Sequence, residues 1–186
     1  MTISETPFSQ ADLPFGTSLQ LSIPSSDDCR AFIKAATESV SFHHPWIKAP
    51  QDEATFQNYI NNIDFERQIS FLLKKRDDGA IVGVINVSEI VRGVFQSAYL
   101  GFYAFAGHER QGYMSEGLSL VCRYCFDTLM LHRLEANIQP DNQRSLGLIQ
   151  KLGFKKEGFS PRYLFINNEW RDHERYAITA EDYNAL

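Results

Sequence analysis

The stretch AYLGFYAFAGHERQGYMSEGLSL, residues 98–120, reads as an apolar, aromatic strand over 98–106, a polar turn with Gly112, and a helix opening near Met114. A strand that feeds a helix through a short polar loop leaves the first helical N–H groups without intrahelical partners, all directed at one spot. The positive end of the helix dipole falls on the same spot, which makes it a seat for phosphate. Gly112 lets the backbone approach a ligand with no Cβ in the way.

A second segment, HRLEANIQPDNQRSLGLIQKLGF at 132–154, gives a short strand over 132–138, a Pro140-Asp141 break, and a helix over 142–152 capped by Asp141 or Asn142. Strand, helix, strand through 98–138 implies one parallel pair joined by a right-handed crossover. Upstream, 19–23 suits a first strand and Ser25-Ser26-Asp27-Asp28 opens an amphipathic helix to about Ser39. A loop with two prolines covers 42–50, and a second helix is expected over 51–66. Strands at 69–74 and 80–90 flank Asp77-Asp78-Gly79 as an antiparallel hairpin, and 155–166 with 169–179 form another around Asn167-Asn168. Residues 1–17 show no periodicity and read as a loosely held lead-in. The fold class is therefore α/β, with hairpins on either side of the parallel pair making the sheet mixed.

With 186 residues, 44% of them hydrophobic and 22% charged, the chain suits a single soluble domain over 1–186 that buries a sizeable core. The net charge of −5 argues against a nucleic-acid binder. No signal-like start and no run of about 18 apolar residues is present, so the cytoplasm is the expected compartment. Cys122 and Cys125 form a C-x-x-C inside the expected 114–130 helix, among Leu120, Val121 and Phe126. A redox pair would open a helix, and a zinc site would need two further ligands at suitable spacing. They read as buried apolar side chains, and no metal is expected.

Together the two segments resemble the GNAT superfamily of N-acetyltransferases, whose coenzyme A loop follows Gln/Arg-x-x-Gly-x-Gly/Ala. Here that loop is Glu109-Arg110-Gln111-Gly112-Tyr113-Met114, departing at Glu109 and Met114. Within the superfamily the chain is most similar to the ribosomal-protein-alanine branch, through His-Pro-Trp at 44–46, Arg-Gly-Val-Phe-Gln at 92–96 and Trp-Arg-Asp-His at 170–173. The resemblance implies a mostly antiparallel central sheet flanked by four helices, with the parallel strands splayed apart. It implies acetyl-CoA as co-substrate. Arg110, Gln111, Gly112, Tyr113, Met114 and Ser115 would hold the diphosphate. Backbone groups of Phe102, Tyr103 and Ala104 would hold the pantetheine arm, one N–H polarising the thioester carbonyl.

Asn142 and Ser145 lie three apart on one helical face. The bland reading is capping. The resemblance implies that Asn142 contacts the coenzyme arm and that Ser145 reaches the sulfur; with Ile149 where many relatives carry an acidic tyrosine, Ser145 or a bound water is the candidate acid. Arg133, Glu135 and Asn137 alternate with Leu134, Ala136 and Ile138, so one face of this strand meets water, a cleft or polar partners. Glu135 is either a general base or the partner of an arginine. His44 and Trp46, with Tyr163 on the last hairpin, would line the acceptor entrance; His43 lies in the same loop.

Only a neutral amine attacks a thioester. At about pH 7.5 roughly a third of α-amines are neutral but about one lysine in a thousand, a gap of some 3–4 kcal/mol that a lysine enzyme must recover. With Tyr99 where many relatives have a glutamate, no obvious base is present. The expected function is transfer of acetyl to the N-terminal α-amine of a protein, a ribosomal one by resemblance, by direct attack in a ternary complex. Acetylation of a small amine (amino acid, antibiotic or polyamine) and a non-catalytic acyl-CoA-binding module are the alternatives. The expected state is a monomer or homodimer with no nucleic acid or membrane partner.

Overall fold

A computed structural model describes residues 13–185; the first twelve residues of the expected lead-in lie outside them. The elements are β1 (Leu19–Ser22), α1 (Cys29–Glu38), α2 (Val40–His43), α3 (Glu53–Asn61), β2 (Ile69–Lys75), β3 (Ile81–Val91), β4 (Ser97–Ala104), α4 (Tyr113–Arg123), β5 (Arg133–Ile138), α5 (Gln143–Lys151), β6 (Lys155–Ile166), β7 (Glu169–Thr179) and α6 (Ala180–Asn184). The strands form one sheet in the order β1-β2-β3-β4-β5-β7-β6.

All neighbours run antiparallel except β4 and β5, which are parallel and joined through α4. Their pairing covers only Ser97↔Arg133, Ala98↔Leu134 and Tyr99↔Glu135. Beyond that point β4 stays on β3 as far as Ala104, and β5 stays on β7 as far as Ile138. The two strands therefore part in the middle of the sheet, as the resemblance implies.

Hydrophobic side chains fill both faces. Leu134, Ala136 and Ile138 of β5 join Leu118, Val121, Leu146 and Ile149 from α4 and α5 in the larger core. Phe32, Phe56 and Phe105 anchor a second cluster under α1 and α3. Cys122 and Cys125 lie in the larger core, and burial pushes the Cys122 thiol up to about 12. Both behave as small apolar side chains, as their neighbours in sequence indicate.

Three helix expectations are corrected. The second helix stops at Asn61 rather than 66, because Asp64 Oδ1 gathers the amides of Glu66, Arg67 and Gln68 into a turn. The 114–130 helix leaves α geometry after Arg123 and finishes as a π turn over Tyr124–Thr128. The expected four flanking helices are joined by two short ones. α2 starts just before the expected 42–50 loop, and α6 is capped by Thr179, whose Oγ1 accepts from the Asp182 amide.

Candidate active site

Beside the segment of β4 that has left β5 lies a cavity of about 160 Å³. On one side it is lined by His43, Trp46, Ile47 and Tyr103, on the other by Asn142, Ser145 and Leu148 of α5, with Phe102 and Ala104 between. Phe42, Ala104, Met114, Arg144 and Leu148 also border a second cleft of about 750 Å³, which continues past Gly112 along α4 and α5. A small chamber beside β4 thus shares a wall with a larger cleft beside a helix terminus.

Gly112 holds φ at +84° and caps α4. The first helical bond runs from the Glu116 amide to the Gly112 carbonyl, so the amides of Tyr113, Met114 and Ser115 face the cleft without a helical acceptor. Arg110 lines the same cleft, and α5 adds Arg144 and Lys151. Three cations around unpaired amides at a helix N-terminus suit a diphosphate. The odd residue of the loop, Glu109, turns back on itself: its Oε2 accepts from the Gly107 amide at 2.9 Å. Gln111 does the same, its Nε2 donating to the Gly107 carbonyl at 3.1 Å, and its side chain is outside the cleft lining.

Asn142 caps α5 through Oδ1, which accepts from the Ser145 amide at 3.2 Å, and both residues line the small chamber. Ile149 is fully buried in the core and sends nothing toward it. Glu135 lies in register with Tyr99, but its Oε1 accepts from Arg133 Nε at 3.0 Å and it is absent from the chamber lining. Arg133 also bridges to Glu157. The arginine-paired alternative describes Glu135.

Tyr163 meets Tyr99, whose hydroxyl is pushed up to about 12 by that hydrogen bond and then by burial, and its ring packs edge-on to His173 at 6.0 Å. The hairpin turn and the loop after α2 touch, since Asn167 Nδ2 donates to the Pro45 carbonyl at 2.6 Å. The last hairpin and the loop after α2 are thus joined, while Tyr163 lies outside the chamber lining.

His44 is exposed and outside the chamber; its neighbour His43 is buried and lines it. One helical turn apart, Ser39 and His43 grip the end of β4. Ser39 Oγ accepts from the Ala106 amide at 2.9 Å while donating to the Ala35 carbonyl at 2.6 Å, and His43 Nε2 donates to the Ala104 carbonyl at 2.8 Å. Ser39→Ala leaves the Ala106 amide without its acceptor, and chemical denaturation is expected to read a loss of about 1–3 kcal/mol. Residues without a role in the sequence pattern are thus Arg144 and Lys151, while the sequence places His43 only in the acceptor loop. Both cations were detectable, because Arg144, Leu148 and Lys151 repeat at i, i+4, i+7 on one face of α5.

Residues 18–155 match the acetyltransferase (GNAT) domain family. The chain is similar to the ribosomal protein uS5-alanine N-acetyltransferase of Escherichia coli, at 41% identity over 123 residues, which are 64% of this chain and 63% of that protein. It is also similar to the spermidine N(1)-acetyltransferase of Escherichia coli, at 23% identity over 93% of this chain and 92% of that one. Among solved structures, RimJ of Mycobacterium smegmatis in complex with CoA-disulfide superposes with a TM-score of 0.82 at 26% identity, covering 88% of this chain and 83% of that one. With a domain match over most of its length and the parted strands, glycine-capped α4 and cationic cleft in place, the chain belongs to the GNAT acetyltransferase family.

Proposed function

We propose that the chain transfers the acetyl group of acetyl-CoA to the N-terminal α-amine of a protein, by direct attack with both substrates bound. The observation that carries this reading is the chemistry of the chamber wall: Phe42, Trp46, Ile47, Phe102 and Tyr103 with Asn142, Ser145 and Arg144, and no carboxylate among the described residues. A polyamine carries further ammonium groups and calls for acidic partners near its amine. A lysine calls for a strong base to remove a proton held at about 10.4, against about 7.7–8.0 for an α-amine. An apolar chamber with one cation suits a small neutral residue bearing an α-amine, and alanine at the start of a ribosomal protein, as in the relative from Escherichia coli, is of that kind.

The residues divide as follows. Amides of Tyr113, Met114 and Ser115 with Arg110, Arg144 and Lys151 hold the diphosphate. Amides of Phe102–Ala104, on the β4 segment freed from β5, orient the thioester and stabilise charge on its carbonyl oxygen, a contribution of about 3 kcal/mol for one such donor. Asn142 fixes the arm near α5. Ser145 supplies a proton to the departing sulfur. Trp46 and Tyr163 bound the acceptor side.

Incubation of the purified protein with acetyl-CoA and peptides starting in Ala-Arg, Ser-Arg or Lys(ε)-only sequences, followed by free thiol release, tests the proposal. Turnover is expected with free α-amines and is expected to vanish when the N-terminus is blocked. Faster turnover of spermidine than of every peptide would overturn it in favour of a small-amine enzyme.

A further inference from the structure

Resting on the reading of the chamber as the thioester seat, the geometry points to His43 as the catalytic base, with Nδ1 taking the proton of the attacking amine. Its Nε2 lies 2.8 Å from the carbonyl oxygen of Ala104. A carbonyl only accepts, so Nε2 must carry the hydrogen, and the neutral ring then keeps its lone pair on Nδ1. Among the described residues nothing hydrogen-bonds to Nδ1. The ring is wedged between Tyr103 and Phe105, at 5.2 and 5.9 Å, and the little surface it keeps belongs to the chamber that Asn142 and Ser145 line from the other side.

Other candidates for the base are placed badly. Glu135 is held by Arg133 and lies outside the lining, and among the described residues no carboxylate is in the lining. Tyr103, the nearest titratable group from β4, is buried, which raises its hydroxyl well above the usual range and keeps it protonated. The remaining charged group facing the chamber is Arg144 from α5, a permanent cation, and His44 on the adjoining loop is exposed. Of the titratable groups among the described lining residues, His43 is the one that keeps an unpaired basic nitrogen.

Burial lowers the pKa of His43 below its ordinary 6.5, with the Ala104 carbonyl pulling weakly the other way. The ring is therefore neutral at pH 7. Its basic form is present above its pKa and is lost as the pH falls through it. In the step itself the amine lone pair forms the bond to the acetyl carbon. The carbon–sulfur bond breaks with its electron pair on sulfur, and one amine proton moves to Nδ1. The thiolate takes the Ser145 hydroxyl proton, which water replaces, and the imidazolium, steadied by the Ala104 carbonyl, returns its proton to water.

His43→Gln separates this role from a positioning one, because the glutamine amide still donates to Ala104 but takes no proton. The variant is expected to lose about a hundredfold in kcat, with acetyl-CoA affinity by calorimetry and melting temperature close to wild type. Its kcat profile is expected to lack the acid limb below pH 6.5, while the limb near 7.7–8.0 from the amine itself stays in both proteins. Free imidazole is expected to restore part of the rate to His43→Ala. A glutamine variant with wild-type rate and unchanged limb overturns the assignment, as does one that loses acetyl-CoA affinity in step with rate. If wild type itself releases no thiol with any amine, the reading of the chamber falls, and this assignment with it.

Discussion

Gly112→Val is expected to weaken acetyl-CoA binding about a hundredfold, equivalent to about 2.7 kcal/mol, with little change in circular dichroism. Gly112 sits at φ +84°, where a β-branched residue is a clear outlier and the left-handed conformation costs about 1–2 kcal/mol for any L residue. No atom lies within 4 Å of a Cβ built there, so the effect is conformational rather than a clash. The loop relieves the strain by rotating, and the amides of Tyr113, Met114 and Ser115 then cease to converge. Charged hydrogen bonds are worth about 1.5–3 kcal/mol each, so losing the alignment of two accounts for the whole effect. Gly79 provides the control: it lies at φ +73° in the β2–β3 turn, also with open space around it. Gly79→Val meets the same strain, and calorimetry is expected to find its acetyl-CoA affinity unchanged. Equal affinity of the Gly112 variant and wild type would detach the helix terminus from the diphosphate.

The contrast between these two glycines shows what the sequence could disclose. The turn at Gly112 was legible because strand, polar loop and helix follow one another locally. So was the last hairpin, whose Asn167 and Asn168 adopt φ of 52° and 64° as a two-residue turn of primed type demands. The alternation along β5 correctly announced a polar face, yet whether Glu135 met an amine or an arginine depended on Arg133 two residues away and on Glu157 across two strands. No local pattern carries that. Which of His43 and His44 is buried was hidden for a similar reason: adjacent histidines look alike, and only the α2 turn, beside the Ser39 contact, decides which one lines the chamber. The early end of α3 was in principle readable from Asp64, since an aspartate that can collect three successive amides competes with helix. The π turn that follows α4 left no mark in composition.

Phe32→Ala is expected to cost about 3–5 kcal/mol of stability, lowering the melting temperature by roughly 6–20 °C for a domain of this size. Phe32 is fully buried and its ring meets Phe56 at 4.8 Å, Phe105 at 5.4 Å and Tyr59 at 5.7 Å. It is thus the hub that ties α1 and α3 to β4. Phe105 follows directly on Ala104, whose carbonyl His43 holds, and precedes Ala106, whose amide Ser39 holds. Emptying this hub loosens the wall that carries His43 and Trp46 but spares the larger core that positions α4 and α5. The two halves of the site should therefore separate. Acetyl-CoA at about a hundred times its Kd is expected to add about 2.7 kcal/mol to both proteins, giving similar increments in melting temperature, whereas KM for the peptide acceptor rises several-fold in the variant. Phe32→Leu, which keeps most of the volume, is expected to recover more than half of the lost stability. If the alanine variant instead loses the acetyl-CoA increment while its peptide KM is unmoved, the division of the site between the two cores is wrong.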